Sequence, residues 1–542
     1  MSNWNFADLY EGIASRIPDH PCQIQGDRVV TWREFDERTN ALAADFLDAG
    51  LTHQSKVAQY LYNCPEYLES YIASFKGSFV PANTNYRYGA DEVTYLFDNS
   101  DAEAVVFHAT FVPLIEEIRD NLPKVKRWYC VTDGSHAVPH WAVDYEKVVE
   151  RKVSESVRGP WGRSENDLMF LYTGGTTGMP KGVMWRQYDL FHVLGLGGNA
   201  VLGIPPAASI EEIIDRMETG MSGTVLLSAC PLMHGTGQFS SLLAMNMGGC
   251  VVTLPSRAFD VGELLGEIER RRVQTLIIVG QAFAGPILDD LIADPNRHDL
   301  SSLIMISSSG VMWSQENKEG LLKYIPQVIL FDSFGSSEAV GMGGSLSAAG
   351  AATETAKFAL GPNCAVFTED GRRVEAGTGE RGLVAVGGNI PMGYYKDEVK
   401  SAQTFRTFEG ARWSVPGDWA EILADGTLVL LGRGSVCINT GGEKVFPEEV
   451  EEALKKHPSV RDAVAVGIPD QRFGETICGV VEAAGGQTPS FAVLNEHVKG
   501  CLAAYKAPRN IVVIDTIGRA PNGKVDYKRL KAFAMQELGL TS

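Results

Sequence analysis

Tyr172-Thr173-Gly174-Gly175-Thr176-Thr177-Gly178-Met179-Pro180-Lys181-Gly182 is the stretch on which the reading of this chain turns. It follows Leu168 to Leu171, a short apolar run that reads as a buried strand. Gly174, Gly175 and Gly178 allow tight turns that aim successive N–H groups inward, making a concave anion site. The hydroxyls of Thr173, Thr176 and Thr177 and the ammonium of Lys181 add the donors that wrap a polyphosphate. A Walker-type loop ends in Gly-Lys-Ser/Thr, whereas Met179-Pro180 separate Gly178 from Lys181 here. A plain Gly/Thr turn has the same composition, so the reading depends on partners further along the chain.

Those partners occur in order. Leu303 to Ser307 reads as a strand ending in Ser308-Ser309-Gly310-Val311, and Val328 to Phe331 leads into Asp332-Ser333-Phe334-Gly335-Ser336-Ser337-Glu338. Pro416-Gly417-Asp418-Trp419, then Gly432-Arg433, and finally Pro521-Asn522-Gly523-Lys524 follow. Taken singly, each has a bland reading: a first-turn acid for Glu338, a Gly-Asp turn for Asp418, a solvated lysine for Lys524. Together with the opening stretch they resemble the signatures of the adenylate-forming superfamily of acyl-CoA synthetases, peptide-synthetase adenylation domains and firefly-type luciferases. Ser337 stands where Thr is usual, Ser435-Val436 where Lys-Asp is frequent, and Ile517-Gly518-Arg519-Ala520 replaces the common lead into the lysine.

The resemblance implies roles residue by residue. Thr173, Gly174, Gly175, Thr176, Thr177, Gly178 and Lys181 would hold ATP phosphates. Ser309, Gly310, Val311, Asp332, Ser333, Phe334, Gly335, Ser336 and Ser337 would lie along the nucleotide. Asp418 would take the ribose hydroxyls and Arg433 would approach the ribose or α-phosphate. Glu338, with Thr177, would hold Mg²⁺, and Lys524 would be catalytic together with Glu338, Ser337 and Thr177. Gly441, Gly442 and Lys444 would line the CoA tunnel. His234, Gly235, Thr236, Gln281 and Phe283 would border the acyl pocket, with the small residues Gly235, Gly237, Ala282 and Ala284 making it roomy. The implied cofactors and substrates are ATP, Mg²⁺, CoA and a small-molecule carboxylic acid.

The whole chain reads as α/β. Apolar runs alternating with helical stretches point to doubly wound parallel sheets. The expected architecture is a large N-terminal domain of two such sheets plus a small β subdomain from Gly361 (1–434), a hinge at 435–436, and a small mobile α+β domain (437–542). With 542 residues, more than one core is required. Pro81-Ala82-Asn83-Thr84-Asn85-Tyr86-Arg87-Tyr88 also resembles an acyl-CoA synthetase segment, but a structural turn explains it equally well. Leu194 to Ala200 mimics a dinucleotide fingerprint without a clear strand-to-helix unit around it; with Leu202 to Gly223 it reads as a cover over the acyl pocket.

Composition sets the exclusions. A net charge of −19 argues against general affinity for nucleic acid or anionic membrane. The nine cysteines are scattered with no Cys-x-x-Cys pair, so no zinc knuckle or disulfide framework is indicated. Pro139 between His136 and His140 marks a loop rather than a metal helix. Ser2 to Ile17 reads as an amphipathic helix rather than a signal peptide, no unbroken apolar run spans a membrane, and the expected location is cytoplasmic. A homodimer is left open.

The reaction expected is ATP-dependent activation of an apolar acid (fatty, branched or steroid side-chain) as acyl-AMP, then transfer to CoA with release of AMP and pyrophosphate. The run Cys437 to Glu451 looks like that of bacterial synthetases for such acids. The absence of Asp or Glu between Leu226 and Met245 disfavours an amino-acid substrate. Alternatives are a ligase for an aryl acid or a carrier-protein acceptor, a non-catalytic nucleotide-binding protein, and an oxidoreductase using the Gly195 region.

Overall fold

A computed structural model describes residues 3–174, 179–218, 223–311, 313–440, 443–470, 474–485, 489–520 and 523–540. Among these residues the chain forms an eight-stranded, a fifteen-stranded and a five-stranded sheet. In the first, Leu168–Thr173, Val80–Asn83, Lys56–Tyr60 and Ala102–His108 lie side by side and pair in parallel. Parallel neighbours need crossovers, and helices such as Pro65–Lys76 and Ala90–Asn99 supply them. Every residue of Pro65–Lys76 is buried, because this helix touches Lys56–Tyr60 and Val80–Asn83 of one sheet and Pro21–Gln25 of the other.

The fifteen-stranded sheet begins with a hairpin, Pro21–Gln25 and Arg28–Thr31. Its parallel part then runs through Cys250–Thr253, Val225–Ser228, Thr275–Ile278, Met305–Ser309 and Ile329–Ser336. The expected strand Val328 to Phe331 is thus longer, and Asp332–Ser336 lies inside it rather than in a loop after it. Ala339–Ser347 returns antiparallel, with Ser333 facing Gly344 and Phe334 facing Gly343. These glycines leave room for the rings: a Cβ at Gly344 would come 2.7 Å from Phe331, and one at Gly343 would come 3.0 Å from Phe358. Pairing continues through Lys357–Leu360 and Thr427–Arg433 to Asp418–Ile422. The β subdomain is therefore hydrogen-bonded into the second sheet rather than standing apart.

From Ile438 onward the chain builds its own cores. Val460–Asp470 alternates with period two: Ala463 and Ala465 pack with Val450 and Leu454, while Val464 and Val466 pack with Leu530 and Ala534. Helix Phe6–Arg16, capped by the Asn5 side chain, buries Phe6 against Phe191 at 4.0 Å and Phe75 at 5.1 Å. Helix Ile210–Glu218 packs on it through Ile214 against Gly12, and Met217 and Ile17 both lie over Gly248. That contact lies at the far end of helix Gly235–Asn246 from His234, about 18 Å away at 1.5 Å per residue. Helix Ile210–Glu218 therefore props the N-terminal helix. All nine cysteines are free. Among the described residues no helix is long and apolar enough to cross a membrane.

Candidate active site

The phosphate-type stretch joins two antiparallel strands. Leu168–Thr173 leads in, Lys181–Arg186 leads out, and Thr173 faces Lys181 across the ladder. Among the described residues the return element is a strand rather than a helix, in contrast to Walker loops. Gly174 lies against the Tyr88 hydroxyl, which a Cβ would approach to 3.2 Å. Lys181 reaches Asp397 at 3.7 Å and sits over the Tyr394 ring at 5.5 Å. Gly175, Thr176, Thr177 and Gly178 lie outside the described residues, as do Gly441 and Gly442; the Lys444 side chain is likewise not described.

Glu338 occupies the turn between Ile329–Ser336 and Ala339–Ser347. Three distant groups hold that turn. Tyr394 donates its hydroxyl to Glu338 Oε1 at 2.7 Å, Ser414 Oγ donates to the Glu338 carbonyl at 2.6 Å, and Trp185 Nε1 donates to the Ser337 carbonyl at 3.1 Å. Of the preceding residues, Phe334 stacks on Phe358 and Asp332 is buried against Lys318 at 3.0 Å. Burial raises the Asp332 carboxyl and Lys318 opposes this. The Asp332 carboxylate is therefore committed to an internal ion pair. Ser336 Oγ is buried with no hydrogen-bond partner.

Asp418 and Arg433 face each other on paired strands, with Arg433 Nε donating to Asp418 Oδ1 at 3.2 Å. The other carboxylate oxygen, Oδ2, is buried and unpartnered. Buried acceptors are normally satisfied, so this atom is an acceptor left open beside Arg433. The Gly523-Lys524 turn comes to the same place. Gly523, at φ +69°, lies on Val311, and a Cβ there would also come 3.3 Å from Val279. The turn thus sits on the exits of Thr275–Ile278 and Met305–Ser309. Although Lys524 as a residue is exposed, partial burial of its ammonium, then Arg433, lowers its proton affinity, and Glu338 acts in the opposite sense.

His234 is the N-cap of helix Gly235–Asn246. Burial pushes its imidazole down to about 3, with the charges of Lys524 and Arg87 acting in the same direction, so it is neutral at pH 7. Thr236 lies near Gly310, φ +93°, whose Cβ would be 3.8 Å from Thr236 Oγ1. The small residues have another cause than a roomy pocket. A Cβ at Gly237 would come 2.6 Å from the Pro231 carbonyl, and one at Gly235 would come 3.3 Å from Leu171. These glycines permit close packing. Gly280 is not the start of a small-residue exit but the cap of helix Gln281–Ala293. Gln281 is exposed and accepts from Ser314, and Phe283 is buried edge-on against Phe259 at 4.8 Å.

Residues 11–395 match the family described as AMP-binding enzyme, and residues 449–524 match AMP-binding enzyme C-terminal domain. The chain belongs to the AMP-binding enzyme family. It is 38% identical over 534 residues to a medium/long-chain-fatty-acid–CoA/3-oxocholest-4-en-26-oate–CoA ligase of Mycolicibacterium smegmatis, covering 97% of this chain and 96% of that one. It is likewise 38% identical to a 3-oxocholest-4-en-26-oate–CoA ligase of Rhodococcus rhodochrous, covering 97% and 95%. Its fold matches a crystal structure of an anthranilate CoA ligase in complex with anthranoyl-AMP, with TM-score 0.84, 21% identity and 99% of both chains covered.

Within this AMP-binding enzyme, the groups that hold Glu338 escaped the sequence reading. Tyr394, Ser414 and Trp185 carry no local signal, since each lies in an ordinary strand far from residue 338. The Gly195 region follows helix Gln187–Val193 rather than a strand, which removes the context a dinucleotide fingerprint requires.

Proposed function

We propose that the chain is an ATP-dependent acid–thiol ligase that activates apolar carboxylic acids, medium-to-long fatty or steroid side-chain acids, as acyl-AMP and passes the acyl group to CoA. The observation that carries this reading is the seating of Gly523-Lys524 on the strand exits, beside Glu338, Arg433 and His234. The relatives' names supply the acid class.

A carboxylate delocalises its charge and resists nucleophiles, so it must first gain a better leaving group. Its oxygen attacks the α-phosphorus of ATP, and the bond to the β-phosphate oxygen breaks as pyrophosphate leaves. Thr173, Gly174, Gly175, Thr176, Thr177, Gly178 and Lys181 hold the departing phosphates. Lys524 bridges the incoming carboxylate and the α-phosphate, the kind of placed positive charge on which phosphoryl transfer depends. Asp418 Oδ2 accepts from the ribose, while Arg433 balances its charge. Ser309, Gly310 and Val311 run beside the base with Ser333–Ser336. Neutral His234 borders the carboxylate without competing for it as a cation.

Among the described residues no group of three or more His, Cys, Asp or Glu could hold a metal. Mg²⁺ in nucleotide sites needs only one or two carboxylates besides phosphates and water, and Glu338 fits that pattern, with Thr177 as a second oxygen. When bound, the ion would neutralise phosphate charge. For the second step, rotation about 435–436 withdraws Lys524 and brings Gly441, Gly442 and Lys444 to the site; the CoA sulfur then attacks the acyl carbon and AMP leaves.

ATP–pyrophosphate exchange across fatty, steroid side-chain, aryl and amino acids, followed by AMP release on adding CoA or a carrier protein, tests the reading. Exchange with apolar acids and CoA-dependent release are expected. Exchange restricted to amino acids, or none with any acid, would sink it. Lys524→Ala should lose exchange, by on the order of 100-fold or more, yet still form thioester from supplied acyl-AMP.

A further inference from the structure

Asn83 ends the strand Val80–Asn83, whose pairing with Leu168–Thr173 consists of the single register Ala82–Phe170. Beyond that rung the Asn83 carboxamide takes over the work of a peptide group. Its Oδ1 accepts from Tyr172 N at 2.5 Å, and its Nδ2 donates to Tyr172 O at 2.9 Å. The same Nδ2 donates to Met233 O at 2.7 Å. One acceptor facing an N–H and two donors facing carbonyls is a pattern that a primary amide meets and a carboxylate or hydroxyl does not. Asn83 is only 2% exposed, so solvent cannot substitute for a lost bond. The residues it grips immediately precede Thr173-Gly174 on one side and His234 on the other.

Asn63 offers a contrast. Its Oδ1 accepts from Leu232 N at 2.8 Å and its Nδ2 donates to Cys230 O at 3.0 Å. Both bonds go to the His234-bearing loop, whereas those of Asn83 span that loop and the phosphate strand.

We propose that Asn83 is a positioning residue that sets the spacing between the end of strand Leu168–Thr173 and the His234 loop, so that nucleotide and carboxylate meet at reacting distance. The inference rests on the adenylate-forming reading above. Small errors in such spacing are costly: a displacement of about 1 Å can lower rate by about 100-fold.

Two measurements test it. Hydrogen–deuterium exchange with and without ATP should show protection of the amides around Leu232 to His234 in wild-type protein that Asn83→Ala loses and Asn63→Ala keeps. That readout needs no turnover, so it judges Asn83 even if exchange assays were to overturn the ligase reading. In kinetics, Asn83→Ala and Asn83→Asp should lower kcat of ATP–pyrophosphate exchange by about 100-fold and raise KM for both ATP and acid. Asn83→Asp should be no better than Asn83→Ala, because it sets a carboxylate against two carbonyls. Asn63→Ala should raise KM for acid alone. No ATP-induced protection in the wild type, or an Asn83 variant whose KM values shift only as those of Asn63→Ala do, would overturn the proposal.

Discussion

Tyr394 donates its hydroxyl to Oε1 of Glu338 at 2.7 Å, joining residues 56 positions apart. A hydrogen bond to a charged acceptor contributes about 1.5–3 kcal/mol. Tyr394→Phe should therefore lower kcat of pyrophosphate exchange by about 10- to 100-fold and cost up to about the same 1.5–3 kcal/mol in chemical denaturation. An unaltered kcat would show that Glu338 holds its place without the tyrosine.

Gly523 lies on Val311 with φ +69°. Gly523→Ala adds both a steric clash and a left-handed conformation that costs roughly 1–2 kcal/mol for a residue bearing Cβ. Adenylation should fall while thioester formation from supplied acyl-AMP persists. Val311→Ala in the same chain should recover part of the loss, since it relieves the clash and leaves the dihedral cost. Equal loss in both half-reactions would argue against this seat being specific to the first step.

Burial, then the charges of Lys524 and Arg87, push the His234 imidazole from an ordinary 6.5 down to about 3. Its folded value is depressed, so the unfolded chain binds the extra proton between these values. Stability is unaffected above pH 6.5 and is lost as pH falls below it. By linkage the loss at pH 5 is on the order of 1–2 kcal/mol. Denaturation at pH 7 and pH 5 should show a smaller difference in His234→Gln than in wild type; identical differences would refute the assignment.

The Glu448 carboxylate is wedged between the end of strand Thr427–Arg433 and the start of helix Pro447–Lys455. Its Oε1 accepts from Arg433 N at 3.4 Å, its Oε2 has no partner, and it abuts Gly432. Burial first, then Glu451, and more weakly Asp418, raise it above the ordinary 4.5. A raised acid binds its proton more tightly in this arrangement than when released. The contact is therefore favoured at low pH and weakens as pH climbs above 4.5. Glu448→Gln should flatten the pH dependence of adenylation on the alkaline side. A parallel shift of the whole profile would point elsewhere.

Lys318 and Asp332 form a buried pair, 1% and 6% exposed. Breaking such a pair costs about 3–5 kcal/mol. Lys318→Met should show that loss in chemical denaturation, whereas replacing both residues by apolar ones should recover most of it.

Much of this protein was legible before folding. Alternating apolar runs and capped helices implied doubly wound sheets, because backbone conformation answers to neighbours a few residues away. The stretches Tyr172 to Gly182, Asp332 to Glu338 and Pro521 to Lys524 could be singled out for the same reason: turn-forming residues and chemical groups are contiguous there. Sequence also sufficed to place the chain in its family, since long signatures in order are local features counted along a line.

What only the tertiary structure decided was which distant groups meet. Lys318 turned Asp332 inward, Tyr394 held Glu338, and tight neighbours rather than pocket space explained Gly235 and Gly237. The continuity of the β subdomain with the second sheet is accompanied by glycines that make room for Phe331 and Phe358. Asn83 looked like a turn residue until a strand end and a separate loop were seen to share its amide. These outcomes follow from burial, which makes partners of side chains brought together by packing, and no interval counted along the chain encodes that meeting.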